Sequence, residues 1–594
     1  VRSRGLGDVY KRQVLSEDEE FYLSRSLPTI EYTLSRSGYR WATDLVPSGY
    51  NKTLETLRLN PFNSQFNTSY YEGLHRLLGG LNPWLVSIAL PGDTLRKTKG
   101  YSTQVLSWVQ AISAYNLTGD EKWKRFATST ADRYIDLQIY KNSSQPVGLM
   151  SFYNTNVYAP WWDLIDLYEL TKEEKYLKAA QYGASNTIAG IRSFPTVTED
   201  LQTIHPGNRF DGNTNLWWKG KEKYRLGFPR VANDAQEKQV PEWLVSPVGL
   251  GFEQPSTYFL RTKGKQVRPV FMSNWAPHLL RLYQYTRKPI YETYARNGVI
   301  GRFTNYPGYY ATGYTDITLS PDFPYKGPDV SSIYYHHIPP HLAFTWDYLV
   351  SEAIERSNGN INFPFCKQEG FVWFTNRIYG NEKGKIFGDS KAKLWIKKGL
   401  IQIDNPTVNY LTAVSDKYFW VILSGESKQE ESLTIRLDKV AELVGQGDIV
   451  QYTEKGKTAK VNRVGNAIKV SVPGKGFRAL AFPLAETRKE NRYPVLKNGI
   501  KVVDMGEPFG KVFLFRIRSP FGWDSVYGFA ETAPAKEKEM SVSVVCNGQS
   551  CTVSSYPFEW SFYKLGMDEK AIVKVTVSSK GQVDKTEEII LNSK

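Results

Sequence analysis

The chain has 594 residues with 75 Lys and Arg against 60 Asp and Glu, so its formal net charge is +15. Its three cysteines exclude a disulfide-framework protein, and it has no run of about 18 apolar residues that would span a bilayer. The length predicts about two to four domains. The positive charge favours an anionic partner, and we expect this partner not to be nucleic acid because no nucleic-acid-binding motif is found.

The first thirteen residues, VRSRGLGDVYKRQ, match neither a helical pattern nor a signal peptide. They resemble a read-through product of conceptual translation, and we treat residues 1–13 as a non-native leader. The expectation that follows is that the native N-terminus, with any export signal, is missing from this sequence.

A repeated segment gives the first architectural signal. It reads AYNLTGDEKW at 114–123, LYELTKEEKY at 167–176 and LYQYTRKPIY at 282–291. Each copy has a Tyr, a Thr three residues later and an aromatic residue five positions beyond the Thr. The flanking segments place apolar residues three and four apart, which predicts helices, and we interpret the Thr as the N-cap of the second helix. A repeat of about 55 residues predicts an (α/α) toroid of helical hairpins over 14–360, with an open solenoid as the alternative.

From residue 361 the spacing of apolar residues changes to two. Short alternating segments such as NYLTAVS, YFWVILSG and ESLTIRL predict an antiparallel β-sandwich over 361–485. After a polar hinge, segments such as GKVFLFRI and AIVKVTVSS predict a C-terminal, Ig-like β module over 486–594. The predicted fold class is therefore multidomain α + β. Cys546 and Cys551 flank a predicted turn, where an oxidising compartment would allow one disulfide bond.

This layout, a toroid followed by a sandwich, resembles polysaccharide lyases of the heparinase II/III-like kind and the rhamnose–glucuronate lyases of Bacteroidetes. The resemblance covers about residues 50–485 and rests on architecture. It implies β-elimination at a uronate-containing acidic polysaccharide by a periplasmic or extracellular enzyme. We expect no required cofactor and no metal among the catalytic groups; a structural Ca²⁺ is compatible with this expectation. The oligomeric state is not specified.

A uronate lyase requires a base, an acid and a group that neutralises the carboxylate. Two long polar and aromatic regions, 195–255 and 302–340, are typical of site-forming loops. The second includes the quartet Tyr334 to His337, and the following Pro339 and Pro340 predict a rigid extended segment that could fix these side chains. The predicted catalytic residues are His205, Tyr310, His336, Tyr335, Asn154 and Arg302. The predicted substrate-binding residues are Trp161, Trp162, Trp217, Trp218, Asn213, Arg209, Tyr309 and Glu253. His278 is interpreted as a packing residue.

Two other functions stay open at this point. An inverting glycoside hydrolase on the same scaffold needs two carboxylates about 6.5–9.5 Å apart. Its candidates are Asp163, Asp211, Asp234, Glu242, Glu253 and Asp316, among which the Asp211 and Glu253 pair is placed best. A non-catalytic glycan-binding protein would use the same aromatic loops and β modules.

Overall fold

A computed structural model describes residues 19–34, 68–77, 108–141, 161–189, 200–204, 216–219, 222–225, 237–241, 260–262, 265–267, 275–309, 332–369, 375–379, 382–396, 399–405, 407–485, 495–531, 539–554 and 558–593. The residues 301–309 and 332–343 are described by their backbone alone. The predicted leader lies outside these ranges. Within them, no helix combines the length and the apolar character needed to cross a membrane.

The helices lie in the N-terminal part of the chain, as the sequence predicts. They are α1 (Glu19–Phe21), a π-helical turn (Tyr22–Ser26), α2 (Leu27–Leu34), α3 (Thr68–Leu77), α4 (Trp108–Thr118), α5 (Glu121–Tyr134) with a π-helical end (Ile135–Ile139), α6 (Asp163–Thr171), α7 (Glu174–Ala189), α8 (Ala276–Thr286), α9 (Pro289–Tyr309) and α10 (Ser332–Arg356). The three copies of the repeat form three hairpins, α4 with α5, α6 with α7 and α8 with α9. Closure of these hairpins into a toroid stays a prediction.

The three hairpin turns share one geometry. The hydroxyls of Thr118, Thr171 and Thr286 donate to the carbonyl oxygen four residues earlier, at 2.7, 2.8 and 2.7 Å. The next residue is left-handed, with φ of +67° at Gly119, +62° at Lys172 and +53° at Arg287, and its N–H bonds to the carbonyl of the repeat Tyr. This is a standard helix C-terminus, which satisfies carbonyls that would otherwise lack partners.

The predicted role of the repeat Thr as N-cap of the second helix is therefore wrong. The Thr is the last residue of the first helix, and the second helix begins three residues later. In the first copy its N-cap is Asp120, whose carboxylate accepts the N–H of Lys122 at 3.0 Å. An acidic side chain at this position also suits the helix dipole.

A single apolar core joins the hairpins, and Trp161 lies inside it. The Trp161 side chain is 0% exposed, and its indole N–H donates to the Thr187 hydroxyl at 2.8 Å. Helix α7 passes so close to this indole that a Cβ on Gly183 would lie 2.5 Å from the Trp161 Cβ. Glycine at 183 therefore permits the close approach of the helix.

The strands that fall between α7 and α8 form small two-stranded sheets. They are β1 (Leu201–Ile204) with β4 (Lys238–Pro241), β2 (Leu216–Lys219) with β3 (Glu222–Arg225), and β5 (Leu260–Thr262) with β6 (Lys265–Val267). Among its described residues, the predicted loop region 195–255 thus contains the β2–β3 hairpin and the antiparallel pair β1 and β4. The predicted loop region 302–340 also needs correction, because α9 extends to Tyr309 and α10 begins at Ser332.

The first sandwich has a sheet of eight strands and a sheet of four. The strands in chain order are β7 (Ile361–Asn362), β8 (Phe365–Glu369), β9 (Thr375–Tyr379), β10 (Gly384–Ile386), β11 (Asp389–Leu394), β12 (Gln402–Ile403), β13 (Val408–Val414), β14 (Tyr418–Gly425), β15 (Glu431–Arg436), β16 (Ile449–Thr453), β17 (Gly456–Val461), β18 (Arg463–Val464), β19 (Ala467–Val472) and β20 (Phe477–Pro483). A 3₁₀ turn spans Asp438–Val440. The sheet orders are β17-β16-β20-β14-β13-β11-β10-β7 and β12-β15-β19-β18, and β8 pairs with β9.

The centre of the eight-stranded sheet, at β14, is buried on both faces. On β14, Trp420 and Ile422 point into a core shared with α10, whereas Phe419, Val421 and Leu423 point toward the four-stranded sheet. This arrangement explains why YFWVILSG is a continuous apolar run, since a strand covered on both faces has no polar side. This part of the molecule has three layers, which are α10, the eight-stranded sheet in the middle and the four-stranded sheet.

The C-terminal module consists of two four-stranded sheets. Its strands are β21 (Val495–Gly506), β22 (Gly510–Arg518), β23 (Asp524–Glu531), β24 (Met540–Cys546), β25 (Gln549–Val553), β26 (Glu559–Leu565), β27 (Ala571–Ser579) and β28 (Lys585–Leu591), in the orders β21-β22-β23-β26 and β25-β24-β27-β28. The disulfide bond considered for Cys546 and Cys551 is not formed, and both thiols are free. They are not cross-strand neighbours, since Cys546 faces Gln549 and Cys551 faces Val544.

The N-terminal helical segment packs against this C-terminal module. Tyr22 contacts the rings of Phe521 and Trp523 at 5.5 and 5.7 Å between centroids, and the Trp523 indole donates to Glu19 at 3.0 Å. Glu31 lies in the same contact, where the Tyr563 hydroxyl donates to it at 3.4 Å. Burial raises the pKa of the Glu31 carboxyl to about 8, so its neutral form is favoured at this contact.

Replacement of Gly183 by Ala should destabilise the protein. Alanine favours a helix by about 1 kcal/mol over glycine, but the contact with Trp161 is close to the backbone and cannot relax, so we expect a net loss of about 1–2 kcal/mol. Urea unfolding gives the measurement. Gly388→Ala is the matched control, because a Cβ there meets no atom within 4 Å; an equal effect of both substitutions would contradict the packing argument.

Burial of Glu31 should make stability depend on pH. Because the folded pKa lies above the unfolded value, the carboxyl stabilises the fold fully below the unfolded pKa of about 4.5, and this contribution is lost as the pH rises through about 8. Glu31→Gln removes the titration, so its free energy of unfolding should fall less between pH 5 and pH 9 than that of the wild type, by a few kcal/mol. Parallel curves for the two proteins would show that Glu31 is not responsible.

Candidate active site

A cavity of about 670 Å³ lies between the helical hairpins and the first strands of the sandwich. Helices α3, α4 and α6 form one side, and the segment around β7, β8 and β10 forms the other. Its lining residues are Glu72, Arg76, Val109, Ile112, Ser113, Asn116, Asp166, Glu169, Leu170, Gly359, Asn362, Phe363, Pro364, Phe365, Lys383, Gly384, Lys385 and Ser390. A concave site with a few converging polar groups is typical of a small-ligand or active site.

Glu72 on α3 is the most unusual group in this cavity. Its side chain is 1% exposed, and burial raises the pKa of the carboxyl to about 7, although the nearby Arg76 charge acts in the opposite direction. The Arg76 Nε atom donates to the Glu72 Oε1 atom at 3.1 Å, and the same guanidinium also pairs with Glu382. A carboxyl that holds a proton near neutral pH is suited to act as a general acid.

Two further carboxylates enter the cavity from α6. The guanidinium of Arg281 on α8 is 3% exposed and contacts Asp166 at 2.6 Å and Glu169 at 2.8 Å. The Tyr285 hydroxyl donates to Glu169 at 2.8 Å. Although burial disfavours the charged form, the Glu169 and Asp166 charges raise the pKa of Arg281. The two carboxylates are thus held by a cation that does not lose its proton.

Apolar and cationic groups complete the site. The Arg281 guanidinium lies 5.6 Å from the centre of the Phe365 ring, and Phe363 is buried beside it. Lys383 and Lys385 are exposed at the rim. The site therefore combines one buried acid, two ion-paired carboxylates and an aromatic wall, a combination that suits a polar ring with apolar faces, such as a sugar.

Most residues that the sequence predicts for the site lie elsewhere or outside the described residues. His205, Asn154, Tyr310, Asn213, Arg209 and Glu253 are outside the described ranges, as are the hydrolase candidates Asp211, Asp234, Glu242 and Asp316. Tyr335 and His336 lie in α10, Arg302 and Tyr309 in α9, and Trp217 and Trp218 in β2, all described by backbone alone. The structure therefore does not test whether these side chains converge.

The tryptophan pair Trp161 and Trp162 requires a correction. Trp161 is completely buried, so its predicted role as a sugar platform is wrong. Trp162 is half-buried, and its ring stacks on Trp275 with 4.4 Å between centroids. His278 is 2% exposed and packs against both indoles, as expected for a packing histidine. Asp163, another hydrolase candidate, is also buried, at the start of α6.

The segment from Tyr334 to His337 also differs from the prediction. The following residues Pro339 and Pro340 suggested an extended segment, but the backbone is helical from Ser332 onward. The proline φ of about −65° is itself compatible with a helix, and the cost is the loss of two backbone donors. No site is therefore preformed there by an extended backbone.

Sequence reasoning missed the residues that do converge, Glu72, Asp166, Glu169 and Arg281. A signal existed for Asp166 and Glu169, because residues three apart on a helix share a face. No pattern marks Glu72 or Arg281, because α3 and α8 meet the face of α6 that carries Asp166 and Glu169 only through packing of separate helices. Among the described residues, no group of three or more His, Cys, Asp or Glu side chains could hold a metal ion.

Comparisons with known proteins give low similarity. No family model matches the sequence, and no curated protein matches it. One similar solved structure is titled "Glycoside hydrolase", with 12% identity, a TM-score of 0.26, and coverage of 98% of this chain and 88% of that chain. A GH127 β-arabinofuranosidase has 9% identity and a TM-score of 0.18, with coverage of 99% and 83%. A GH127 β-L-arabinofuranosidase from Geobacillus stearothermophilus T6 has 10% identity and a TM-score of 0.20, with coverage of 98% and 94%. Scores this low carry no argument about fold or activity. The described architecture is mixed α + β.

Proposed function

We propose that the protein is a glycoside hydrolase of the inverting type whose active site is the cavity around Glu72. The observation that carries this proposal is the pairing of two kinds of carboxyl in one cavity. Glu72 is buried with a pKa raised to about 7, whereas Asp166 and Glu169 are bound to the Arg281 guanidinium. Carboxyls whose environments differ in this way are suited to opposite roles in acid–base catalysis. The three similar solved structures are titled as hydrolases, but their scores are too low to support the proposal.

In this mechanism Glu72 donates its proton to the glycosidic oxygen while the bond from that oxygen to the anomeric carbon breaks. Asp166 or Glu169 accepts a proton from a water molecule, whose oxygen forms the new bond to the anomeric carbon. The products are an alcohol and a free sugar with inverted configuration. The cavity of about 670 Å³ is large enough for a sugar ring and this water, since one water occupies about 30 Å³ in the liquid.

The acidic substrate is part of the proposal. Lys383 and Lys385 lie at the rim, and the chain carries a net charge of +15, both of which attract a uronate-containing glycan. We also propose a periplasmic or extracellular location, where such polysaccharides occur. A cofactor is not required for acid–base hydrolysis.

β-Elimination, the reaction implied by the resemblance to lyases, has less support in this cavity. A lyase base is a His, Tyr or Lys side chain close to the α-carbon. Among the described lining residues there is no His or Tyr, and the two lysines are exposed at the rim of the cavity. The lyase proposal depends instead on His205, His336 and Tyr310, whose side chains are not described.

Glu72→Gln should lower kcat by about 10²–10⁴, because the amide cannot donate the catalytic proton. The assay measures new reducing ends on a panel of neutral and uronate-containing glycans, together with absorbance near ~235 nm, which reports the unsaturated uronate that β-elimination forms. Glu174→Gln, an exposed glutamate at the start of α7, is the matched control and should retain activity. If cleavage produces the absorbance signal, the reaction is elimination and the proposed hydrolysis is wrong. If Glu72→Gln keeps full activity, Glu72 is not the general acid.

The pH profile tests the role of Glu72 separately. A general acid must be protonated, so kcat/KM should fall as the pH rises through about 7, the pKa of Glu72. Arg76→Gln removes the cation that lowers this pKa. The basic limb of the kcat/KM profile, where activity falls with rising pH, should therefore move to higher pH. Glu382→Gln frees the same guanidinium from its other partner, so it should not move the limb upward. A limb that stays in place in both variants would show that another group sets it.

A further inference from the structure

A groove lies next to the turn that follows α10, on the other side of this turn from the cavity around Glu72. Its volume is about 880 Å³, and it is formed by α8, α9, the end of α10, the β16–β17 turn and the segment 473–478. Seven cationic side chains line it against three carboxylates; the cations are Arg287, Arg296, Arg356, Lys428, Lys455, Lys475 and Arg478. We call this region the cationic groove.

Some of these cations hold the wall of the groove together. The guanidinium of Arg356 contacts Glu352 at 2.7 Å and also donates to the carbonyls of Gly425 and Gly476. Arg296 contacts Glu426 at 3.1 Å. Burial raises the pKa of Glu352 to about 8. Burial acts in the same direction on Glu426, but the Arg356 and Lys475 charges lower its pKa. The two carboxyls therefore share one proton near neutral pH and neutralise only part of the positive charge.

Two other cations are not used in this way. Arg478 donates through Nη1 to the Phe477 carbonyl at 2.9 Å, and its Nε atom is buried with no hydrogen-bond partner among the described residues. Lys455 is exposed at the β16–β17 turn, and no carboxylate in the described part of the chain pairs with it. An arginine and a lysine that have no carboxylate partner among the described residues, together in one concave site, favour an anionic ligand.

The other lining groups indicate the kind of molecule that carries the anion. Hydroxyl and amide side chains are interspersed with the cations, namely Thr293, Asn297, Asn358, Thr453 and Thr458. Proteins that bind single-stranded nucleic acid present aromatic faces for base stacking. Here Phe477 is 1% exposed, and the Arg287 guanidinium covers the Tyr283 ring at 5.4 Å. Polar groups without an open aromatic face suit a glycan better than nucleic acid.

We propose that the cationic groove binds the carboxylate or sulfate groups of an anionic glycan. Asn358 lines this groove, and Gly359, the next residue, lines the cavity that contains Glu72. Consecutive Cα atoms are about 3.8 Å apart, so the two sites adjoin at this turn. The proposal rests on the proposed function only in taking a glycan as the carrier of the anion.

Calorimetric titration in the Glu72→Gln background tests the proposal without turnover. The probes are an oligogalacturonate, a sulfated heparin-derived oligosaccharide, a neutral arabino-oligosaccharide and a single-stranded oligodeoxynucleotide. Binding of at least one anionic glycan should weaken about tenfold in the double variant Lys455→Gln with Arg478→Gln, since each charged hydrogen bond contributes modestly at a partly exposed site. The two anionic glycans distinguish a carboxylate from a sulfate ligand.

The matched control is Lys460→Gln with Lys574→Gln, which removes the same charge from exposed positions outside the groove. It should leave affinity within about twofold of the parent, as expected for charges that contact no ligand. The single variant Lys455→Gln keeps the test valid if loss of Arg478 impairs folding, because Lys455 is exposed. The proposal is overturned by absent binding of both anionic glycans, by equal loss in the control, or by tighter binding of the oligodeoxynucleotide. Groove binding by a protein that cleaves no glycan would contradict the proposed function and leave this inference standing.

Discussion

Burial of the centre of the eight-stranded sheet on both faces is the constraint on which the rest of the structure depends. One face packs against the four-stranded sheet, and the other packs against α10 through Trp420 and Ile422. Arg356, in the last turn of α10, links this helix to the sandwich. Its guanidinium contacts Glu352 on the helix and donates to the carbonyls of Gly425, at the end of β14, and Gly476, just before β20. This contact fixes where the helical part of the chain meets the sandwich, and both concave sites lie along that boundary.

The same core extends to the two ends of the chain. Strand β22 is buried on both faces like β14, with Val512 and Leu514 inside the C-terminal module and Phe513 and Phe515 in the shared core. The helical segment that contains Tyr22 completes this core. Residues separated by about 500 positions therefore stabilise each other, and the buried Glu31 carboxyl makes their contact sensitive to pH.

The two proposed sites use charge differently. In the cavity around Glu72, cationic and acidic side chains are balanced. Burial raises the pKa of Glu72, whereas Asp166 and Glu169 are bound to Arg281. In the cationic groove, the buried carboxyl pair neutralises only part of the positive charge, which leaves an excess for a ligand. An enzyme that acts on an acidic glycan needs both properties, because acid–base chemistry requires a low-polarity site whereas recognition of repeated anions requires an accessible cationic surface.

The sequence by itself determined the local structure. The Tyr-x-x-Thr repeat specifies the hairpin turns, because its threonine and the residue after it satisfy the helix end through contacts within ten residues. Alternation of apolar residues likewise specifies most strands of both β regions. Four strands of the large sheet, β7, β10, β16 and β17, match none of the predicted segments. Strands β7 and β10 have only two and three residues, and β16 and β17 have few buried positions. The prolines at 339 and 340 misled the prediction because their backbone angles fit two structures.

Only the tertiary structure decided the candidate site. Glu72, Asp166 and Arg281 come from α3, α6 and α8, and no spacing in the chain encodes how these helices pack around the cavity. The raised pKa of Glu72 is a consequence of burial, which depends on how α3 packs against α4 and the sandwich. Trp161 is buried and therefore does not form part of the predicted site. The sequence does not distinguish a tryptophan that packs in a core from one that faces a ligand. The composition favoured an anionic partner, and the fold determines where cationic side chains cluster in a groove.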